Sequence, residues 1–453
     1  MKEYQQARKY LDSFINYENK VLFSYKKSLK LERVKYFLED LGLPYQTLRV
    51  IHIAGTKGKG STATMCADLL AAAGFSVGLY TSPHFFDFRE RIVIKYVGDG
   101  LVPSRIKSEM IPKSEIVRIV GEMKPYLEKR KGFGQLTFFE VYTAVALKYF
   151  IEREVDFAVL ETGMGGRLDA TNVVNALVSV ITTIGYDHTD KLGTRLSNIA
   201  YEKAGIIKKG SLVVSSRQRS SVYDVIKDRC KKLNSDLFLF GRDFGVESVK
   251  LNNSYTKFDF KFGAFYCQNV KIPLKGTHQV ENAALCLAAV KLLKENKVLE
   301  REIDFKRGLS HTFIEGRFQV VRKNPLTVMD IAHNEPSFLV LRENVKLYFP
   351  DKEVILIFAA SQDKNIAKML EIMRCRHLIL TEFRNQRCAS ARGIKKKYNL
   401  KNAFIAKNVS KALKIARQLY NKDSLVLISG SLFLVSEAKK VVSRFLRARA
   451  RKG

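Results

Sequence analysis

The chain has 453 residues, of which 46% are hydrophobic and 27% charged, and its formal net charge is +33. This length exceeds what one hydrophobic core usually serves, so two domains are expected, and the composition excludes a disordered chain. The positive charge suits a nucleic acid, a membrane surface or small polyanionic substrates, and the sequence contains no recognisable nucleic-acid-binding module.

The cysteines and the chain start indicate where the protein works. Six cysteines are scattered without a C-x-x-C pair, which argues against a disulfide framework and against a zinc knuckle. The chain does not begin with a basic-then-apolar leader, and no apolar run approaches the ~18 residues that a membrane helix requires. We therefore expect a cytoplasmic protein with reduced thiols.

A glycine-rich stretch at residues 55–61, Gly-Thr-Lys-Gly-Lys-Gly-Ser, separates a predicted buried strand at 50–54 from a predicted helix at 62–71. This setting predicts a phosphate site, because glycines let backbone N–H groups face an anion and the helix N-terminus adds positive charge. Gly60 stands where a Mg²⁺-binding hydroxyl usually follows the lysine, so the metal must find another oxygen. The alternative is a connector that binds nothing.

A second predicted strand, at 77–81, ends in Ser82-Pro83-His84 and an arginine-bearing aromatic segment at 85–92. Open α/β sheets place ligand contacts at the carboxyl ends of their strands. Ser82 is therefore the first candidate for the missing hydroxyl ligand. The alternative is a serine that caps a turn before proline.

A helix is predicted to begin in the segment Leu-Thr-Phe-Phe-Glu at 136–140 and to continue to about residue 150. Thr137 and Glu140 have the spacing of a capping box, which would explain both residues without any ligand.

Acidic and polar residues follow the next two predicted strands. Glu161 ends the strand at 156–161, the position of a second Mg²⁺ element in phosphate-loop enzymes, and a glycine-rich loop at 163–172 follows it. Asp187-His188 follows the strand at 177–184. On chemistry alone a carboxylate would be the preferred ligand there, because Mg²⁺ prefers oxygen. Lys203, near the end of a helix predicted at 196–204, would ordinarily be a surface lysine.

The remaining pattern divides the chain. Hairpins are predicted near residues 258–262, a helix begins at 277, and a charge-rich stretch at 300–308 indicates a boundary. An α/β rhythm then restarts, with predicted strands at 326–330, 354–358, 377–381 and 424–429. The predicted fold is α/β: an N-terminal phosphate-loop domain with a parallel sheet, residues 1–313, and a smaller Rossmann-like α/β domain, residues 314–453.

The ordered motifs resemble those of one family, the folylpolyglutamate synthase and dihydrofolate synthase group of the Mur ligase superfamily. The match spans nearly the whole chain and is carried by residues 55–62, 81–84, 89–92, 161, 165–172, 187–188, 202–205, 278–279, 282–283, 316–318, 330, 332–334 and 429–431.

The resemblance implies an ATP-dependent ligase. A folate or dihydropteroate carboxylate would attack the γ-phosphate of ATP, and the amine of L-glutamate would capture the acyl phosphate. The implied cofactors are ATP and two Mg²⁺ ions, with K⁺ as a further candidate. The partners are these small substrates, without nucleic acid or membrane, and we expect a monomer.

The resemblance also assigns site residues. Those implied in catalysis are Lys59, Glu161, His188, Lys203, Arg317 and His333. Those implied in ATP binding are Gly55, Thr56, Lys57, Gly58, Lys59, Gly60, Ser61, Asn282, Arg317 and Asp330. Those implied in metal binding are Ser82, Glu161 and His188, which replaces the carboxylate preference at that position. Lys203 matches a lysine that becomes carbamylated, a reaction that requires a transiently neutral amine.

The implied substrate contacts are Pro83, His84, Arg91, Thr137, Phe138, Phe139 and Glu140. The segment at 136–140 is similar to the dihydropteroate-site signature of bifunctional members, so both activities are expected. Two departures bear on the glutamate pocket: Ile331 stands where members often have glycine, and Glu335 precedes Pro336. Two alternatives stay open: a Mur-type ligase acting on a cell-wall nucleotide precursor, and a basic phosphate-loop ATPase stimulated by nucleic acid.

Overall fold

The computed structural model describes residues 2–17, 25–98, 106–130, 135–252 and 254–450. The chain divides into two units. The first comprises residues 1–250, 256–273 and 277–312, and the second comprises residues 251–255, 274–276 and 313–453.

Eight strands form the main sheet of the first unit: β1 (Val50–Ala54), β2 (Val77–Tyr80), β3 (Ile92–Val97), β4 (Ile106–Met110), β5 (Phe157–Glu161), β6 (Ala176–Ile181), β7 (Leu212–Ser215) and β8 (Asp236–Leu239). Their order in the sheet is β4-β3-β2-β5-β1-β6-β7-β8. The six strands from β2 to β8 in this order are parallel, and β3 and β4 extend the sheet antiparallel. Parallel strands of this kind require cover on both faces.

Helices in the first unit supply that cover: α1 (Lys2–Asp12), α2 (Tyr25–Ser28), α3 (Leu31–Asp40), α4 (Lys59–Ala72), α5 (Lys113–Lys129), α6 (Phe138–Glu152), α7 (Thr189–Leu192), α8 (Leu196–Ala204), α9 (Ser220–Leu233) and α10 (Thr277–Glu295). The central strand β1 is buried along its whole length, and α4 is apolar and buried on most of its surface. A helix that is apolar all round belongs in an interior, and α4 packs against both β5 and α10.

A separate antiparallel sheet of three strands follows α9, formed by β9 (Phe244–Leu251), β10 (Thr256–Phe262) and β11 (Phe265–Ile272). Buried and accessible residues alternate along β10 as the pleat requires, with Phe258 and Phe260 fully buried. The predicted hairpin near 258–262 is confirmed by the pairing of β10 with β11.

The second unit contains a six-stranded sheet in the order β12-β13-β17-β14-β15-β16. Only β12 and β13 pair antiparallel; the other neighbours are parallel. The elements in chain order are β12 (Gln319–Lys323), β13 (Leu326–Met329), α11 (Glu335–Tyr348), β14 (Glu353–Phe358), α12 (Ile366–Met373), β15 (His377–Leu380), α13 (Ala391–Lys397), β16 (Phe404–Ile405), α14 (Val409–Leu419), β17 (Ser424–Ser429) and α15 (Leu432–Ala450).

The predicted α/β fold class is confirmed, and the predicted strands are found within a few residues of their observed bounds. Two boundaries were wrong. The helix after the glycine loop begins at Lys59 and not at 62, so Lys59, Gly60 and Ser61 form its first turn. The strand predicted at 177–184 ends at Ile181, because Thr182 and the residues after it turn to brace the glycine loop.

Among the helices of the described ranges, none combines the length and the apolar character that crossing a bilayer demands.

Candidate active site

The carboxyl ends of β1 and β5 lie side by side at one edge of the eight-stranded sheet. Ile53 is paired in register with Glu161, so the glycine loop that starts at Gly55 and the acid that ends β5 face the same edge. β2 pairs with β5 on its other side, with Tyr80 opposite Leu160, which brings Ser82 to this edge as well. Sheet order thus assembles three segments that are far apart in sequence.

Two glycines of the loop have no room for a side chain. A Cβ at Gly55 would lie 1.8 Å from Thr182 Oγ1, and a Cβ at Gly58 would lie 2.2 Å from Asn282 Oδ1. Gly58 also has a φ of 93°, in the region that favours glycine. Asn282 is buried, and its Nδ2 donates to Gln279 Oε1 at 3.1 Å. The predicted ATP contact Asn282 therefore lies directly against the loop.

The segment after β6 fixes the loop from one side. The backbone N–H groups of Thr56 and Lys57 both donate to the Thr183 carbonyl, at 2.9 and 3.3 Å. The Thr56 hydroxyl donates to the Gly185 carbonyl at 3.0 Å and accepts from the Gly185 N–H at 3.1 Å. Lys57 Nζ lies 3.8 Å from Asp187 Oδ2. These contacts hold the loop backbone, and the sequence pattern did not identify the 182–185 segment as its brace.

Glu161 lies beneath the first turn of α4. Its carboxylate is almost fully buried, and Oε2 accepts from the Ser82 N–H at 3.0 Å. A Cβ at Gly60 would lie 3.3 Å from the same oxygen, so the absence of a side chain at Gly60 leaves the carboxylate next to the loop. Ser82 and Glu161, two of the predicted metal ligands, are thus brought together.

Lys203 contacts the glycine loop from α8. Its Nζ donates to the Gly55 carbonyl at 2.6 Å, and the residue is only 4% exposed. Burial first, and then the nearby Lys59 ammonium, lower the pKa of Lys203 to about 7. A large fraction of this amine is therefore neutral at physiological pH, which an ordinary surface lysine would not be.

His188 begins α7 with a left-handed backbone, φ 49°. Desolvation lowers the pKa of His188 to about 4, and the cations Lys191, Lys203 and Lys59 act in the same direction against Asp187. More than a third of the residue is accessible, so solvent offsets part of this desolvation, and the ring is neutral at pH 7. A neutral imidazole can donate a lone pair to a metal.

A paired arginine and glutamate hold α8 against the loop that follows β5. Arg167 Nε and Nη2 donate to the two Glu202 carboxylate oxygens at 3.1 and 2.9 Å, and the Arg167 N–H donates to the Glu202 carbonyl at 2.7 Å. A Cβ at Gly166 would come within 2.9 Å of the Glu202 and Lys203 carbonyls. Because Glu202 precedes Lys203, this clamp fixes the position from which Lys203 reaches Gly55.

Asp169 stabilises the loop that follows β5 through hydrogen bonds inside the loop. Its carboxylate accepts from the N–H groups of Met164 and Thr171 and from the Thr171 hydroxyl, the last at 2.6 Å. Since that hydroxyl donates to Asp169, it accepts from Nε2 of His52, 2.8 Å away in β1. Burial lowers the pKa of His52 to about 3, so this histidine is neutral. The sequence pattern did not predict His52; an isolated polar residue in an otherwise apolar strand was the only signal.

The predicted substrate residues divide into two groups. In the first group, Arg91 is 2% exposed, its Nε lies 3.0 Å from Nδ1 of His84, and its guanidinium carbon lies 5.8 Å from the Phe138 ring centre. The Phe139 ring lies against Gly163, in the loop that follows Glu161. Pro83 is exposed beside them. These residues form one wall next to the carboxyl ends of β2 and β5.

The second group, Thr137 and Glu140, caps the N-terminus of α6. The Thr137 hydroxyl accepts from the Glu140 N–H at 3.2 Å, and Glu140 Oε2 accepts from the Thr137 N–H at 2.7 Å. Glu140 Oε1 also accepts from Arg33 Nη2 at 2.7 Å. The capping box is confirmed. The structure thus shows these two side chains starting α6, and their direct contact with substrate stays a prediction.

In the second unit, Asp330 follows β13 and organises the predicted residues there. Its Oδ2 accepts from the Phe318 N–H and its Oδ1 from the Ala332 N–H, both at 2.8 Å. Burial raises the pKa of Asp330, whereas the neighbouring Arg317 lowers it. Arg317 is partly accessible, and its buried Nε has no hydrogen-bond partner in the described structure. The carboxylate therefore shapes the two turns that present Arg317.

His333 lies on the same edge. Its Nδ1 is 2.9 Å from the Ile331 carbonyl, and its N–H donates to the Ser337 hydroxyl at 3.0 Å. The Gly430 N–H donates to the Ala332 carbonyl, which ties the turn after β13 to the turn after β17. Arg317, Asp330 and His333 are thus held on connected turns, and Ile331 fits this arrangement through a backbone hydrogen bond to Gly316.

Two protein-family models match the chain. The family model described as the Mur ligase middle domain matches residues 129–290, and that described as the Mur ligase glutamate ligase domain matches residues 316–432. The chain is 33% identical over 418 residues to the dihydrofolate synthase/folylpolyglutamate synthase of Bacillus subtilis, covering 90% of this chain and 94% of that protein.

Solved structures give the same result. Folylpolyglutamate synthase of Mycobacterium tuberculosis, solved with ADP, has a TM-score of 0.85 and 26% identity, covering 97% of this chain and 98% of that one. A complex of a folylpolyglutamate synthase (FPGS) with AMPPCP and folate has a TM-score of 0.80 and 28% identity, covering 97% of this chain and 99% of that one. The similarity therefore extends over both units.

Proposed function

The chain belongs to the folylpolyglutamate and dihydrofolate synthases of the Mur ligase family, and from that premise we propose that it joins L-glutamate both to folates and to dihydropteroate. It is an ATP-dependent acid–amino-acid ligase. The observation that carries the finer proposal is the convergence of the glycine loop, Glu161 and Lys203 at one sheet edge, beside the wall formed by Arg91 and Phe139.

The glycine loop and Lys59 bind the triphosphate in this proposal. The amides of Lys59, Gly60 and Ser61, at the N-terminus of α4, face the β- and γ-phosphates, and the Lys59 side chain neutralises the charge that moves onto the leaving oxygen. Asn282, packed against Gly58, contacts the adenine. In the second unit, Arg317 contacts the phosphates and Asp330 the ribose; the unpartnered Arg317 Nε supports the first assignment.

The reaction has two steps. The carboxylate of the pteroate or folate attacks the γ-phosphorus, ADP leaves, and an acyl phosphate forms. The amine of L-glutamate then attacks the acyl carbon, phosphate leaves, and the amide is formed. Both steps bring anions together, so the residues of this chain act chiefly by positioning and by supplying positive charge. His333 is proposed to contact the glutamate or the acyl phosphate.

The oxygen-rich donor set at this edge suits magnesium. Ser82, Glu161 and the neutral His188 would hold it, where it would neutralise phosphate charge. Among the described residues no three His, Cys, Asp or Glu side chains form a metal cluster. Mg²⁺ takes few protein ligands and completes its shell with phosphate and water. Two such ions, and K⁺ as a further one, are part of the proposal.

Lys203 is proposed to be carbamylated. Addition of CO₂ requires a neutral amine, and the lowered pKa of Lys203 supplies one near pH 7. The product carries a negative charge in place of a positive one, next to the proposed metal ligands. The Arg167–Glu202 clamp would hold it in place.

Dihydropteroate is proposed as a substrate because of the segment at 136–140. There the cap formed by Thr137 and Glu140 starts α6 so that Phe138 meets Arg91 and Phe139 meets Gly163. His84 and Pro83 complete this wall. We further propose a cytoplasmic monomer, with an ATP-binding domain at residues 1–313 and a ligase domain at 314–453.

A phosphate-release assay tests the proposal. With ATP and Mg²⁺, phosphate release is expected with 7,8-dihydropteroate and with tetrahydrofolate, in each case only when L-glutamate is also present. If L-glutamate supports phosphate release with tetrahydrofolate but not with 7,8-dihydropteroate, the dihydrofolate synthase activity is removed from the proposal. Release that responds to RNA or DNA, or to a cell-wall nucleotide precursor, and not to either pterin would overturn it.

A further inference from the structure

The second unit has a groove that the ligase reaction does not use. Its volume is about 490 Å³, and it opens where β14 and β15 begin. Phe349, Val354 and Met373 contribute an apolar surface, and Val354 and Met373 are themselves almost fully buried. A concave apolar surface of this size suits part of a small molecule.

The rim of the groove is strongly cationic: Arg342, Lys346, Lys352, Arg374 and Arg376 line it, with Glu353 as its one acid. Glu353 pairs with Arg376, and Lys352 Nζ donates to the Lys422 carbonyl at 2.6 Å. The other three cations make no ion pair with a residue in the described part of the chain.

The partial negative charges of helix C-termini neutralise only part of this positive charge. α11 and α12 both end at the groove, with Phe349 and Arg374 as their C-terminal caps, and helix C-termini attract cations. Two such ends amount to about −1 elementary charge in total. Five cations and one carboxylate carry +4. Among the residues that line the groove, about +3 therefore remains after the two helix ends are counted.

The groove also lies in the more basic part of the chain. Residues 313–453 contain 29 lysines and arginines against 11 aspartates and glutamates, a net charge of +18 out of the total +33. Less than a third of the sequence thus carries more than half of its excess charge. Such a field raises the local concentration of multivalent anions.

We propose that this groove binds a small molecule that carries at least two negative charges and an apolar ring. Nucleoside diphosphates and pterins with several carboxylates both have this chemistry. The cations would pair with the anionic groups, and the ring would lie on Phe349. A nucleic acid is less suitable, because it needs an extended track of cations and exposed aromatic rings, whereas this groove is a single concavity of about 490 Å³.

The groove is separate from the candidate active-site edge of its own unit. Glu353 and Arg376 lie at the amino ends of parallel strands, whereas Asp330 and Ser429 lie at the carboxyl ends. The two sets of residues are therefore on opposite edges of one sheet. A ligand in the groove is not in position to take part in glutamate transfer.

Methyl NMR offers a site-specific test. The chain has eight methionines, and after labelling with methyl-¹³C-methionine, Met373 reports on the groove while Met164, in the loop after β5, reports on the other site. The probes are ADP, pteroyltriglutamate, inorganic phosphate and polyuridylate. The variants are R342E/K346E and, as a control with the same change in net charge, K411E/K414E on the exposed face of α14.

ADP or pteroyltriglutamate is expected to shift the Met373 signal saturably. The probe that binds more tightly shows whether the ligand is a nucleoside diphosphate or a pterin with several carboxylates. In R342E/K346E the dissociation constant should rise about tenfold or more, whereas K411E/K414E should change it less than about twofold. Glutamate transfer should continue in both variants. The proposal is overturned if neither probe shifts Met373, if only polyuridylate or phosphate does, or if both variants lose the response equally.

Discussion

The carboxyl edges of the two sheets are shaped by different means. The edge of the eight-stranded sheet relies on backbone: Gly55 and Gly58 leave no space for a Cβ, and the loop amides are held by carbonyls of the 182–185 segment. The edge of the six-stranded sheet relies on side chains, with Asp330 shaping two turns that present Arg317. Substitutions that change the backbone shape of the first edge should therefore abolish most of the activity. Side-chain substitutions at the second edge should each cause a partial loss.

The largest expected effect is at Lys59, which is proposed to supply positive charge to the transferred phosphate. Lys59→Ala should lower kcat by about 10³-fold or more, because a fixed positive charge at the phosphate is lost. Phosphate release with ATP, tetrahydrofolate and L-glutamate measures this. An unchanged unfolding midpoint would show that the fold is intact, and wild-type turnover would contradict the assignment.

Gly58→Ala tests the dependence of the first edge on shape alone. The new methyl group would overlap Asn282 Oδ1 in a backbone region that alanine rarely adopts, so kcat/KM for ATP should fall about 100-fold. Gly121→Ala is the matched control. Gly121 is exposed within α5 with open space at its Cβ position, so activity should stay unchanged. Equal rates in the two variants would remove the steric argument.

Arg317→Ala tests the second edge. The guanidinium is proposed to contact the nucleotide phosphates but is not the only charge near them, so kcat/KM for ATP should fall about tenfold. The unfolding midpoint of the first unit should not move. Lys323→Ala removes an exposed cation from the nearby strand β12 and should leave ATP use unchanged. A similar loss in both variants would indicate a general effect of charge.

Asp330→Asn tests whether that carboxylate acts through the backbone. An asparagine offers one oxygen where two N–H groups now donate, so one of the turns at Phe318 or Ala332 should loosen. The free energy of unfolding should fall by about 1–3 kcal/mol. Urea titration measures this change. Unaltered stability together with a large loss of ATP affinity would instead favour a direct contact with the ribose as its main role.

His52→Gln changes a buried residue of β1, below the first edge. The expected effect is on the pH dependence of the free energy of unfolding. The folded state keeps His52 neutral down to its pKa of about 3, whereas the unfolded chain takes up a proton below about 6.5. Because the unfolded state binds more protons as the pH falls, wild-type stability should drop by about 2 kcal/mol between pH 7 and pH 5 from this group. Urea unfolding of the variant at both pH values should lack that part of the drop.

Several parts of the first edge could be predicted from sequence. Glycine spacing after an apolar strand predicted the loop between β1 and α4, the end of a predicted strand placed Glu161 at the end of β5, and the spacing of Thr137 and Glu140 predicted a cap that the structure confirms. Each of these signals lies within a dozen residues. Backbone preference and hydrophobic periodicity act over that range, so local sequence is sufficient.

Other parts depended on the tertiary structure. Lys203 reads as an ordinary surface lysine, yet it lies buried on the carbonyl of Gly55, 148 residues away along the chain. Asn282 packs against Gly58, and Arg167 clamps Glu202, through contacts that no local pattern announces. These contacts follow from the placement of β5 between β1 and β2 and from the burial of α8 and α10. Sheet order and burial are properties of the whole packed chain, because the free energy that selects them comes from surfaces that meet only after folding.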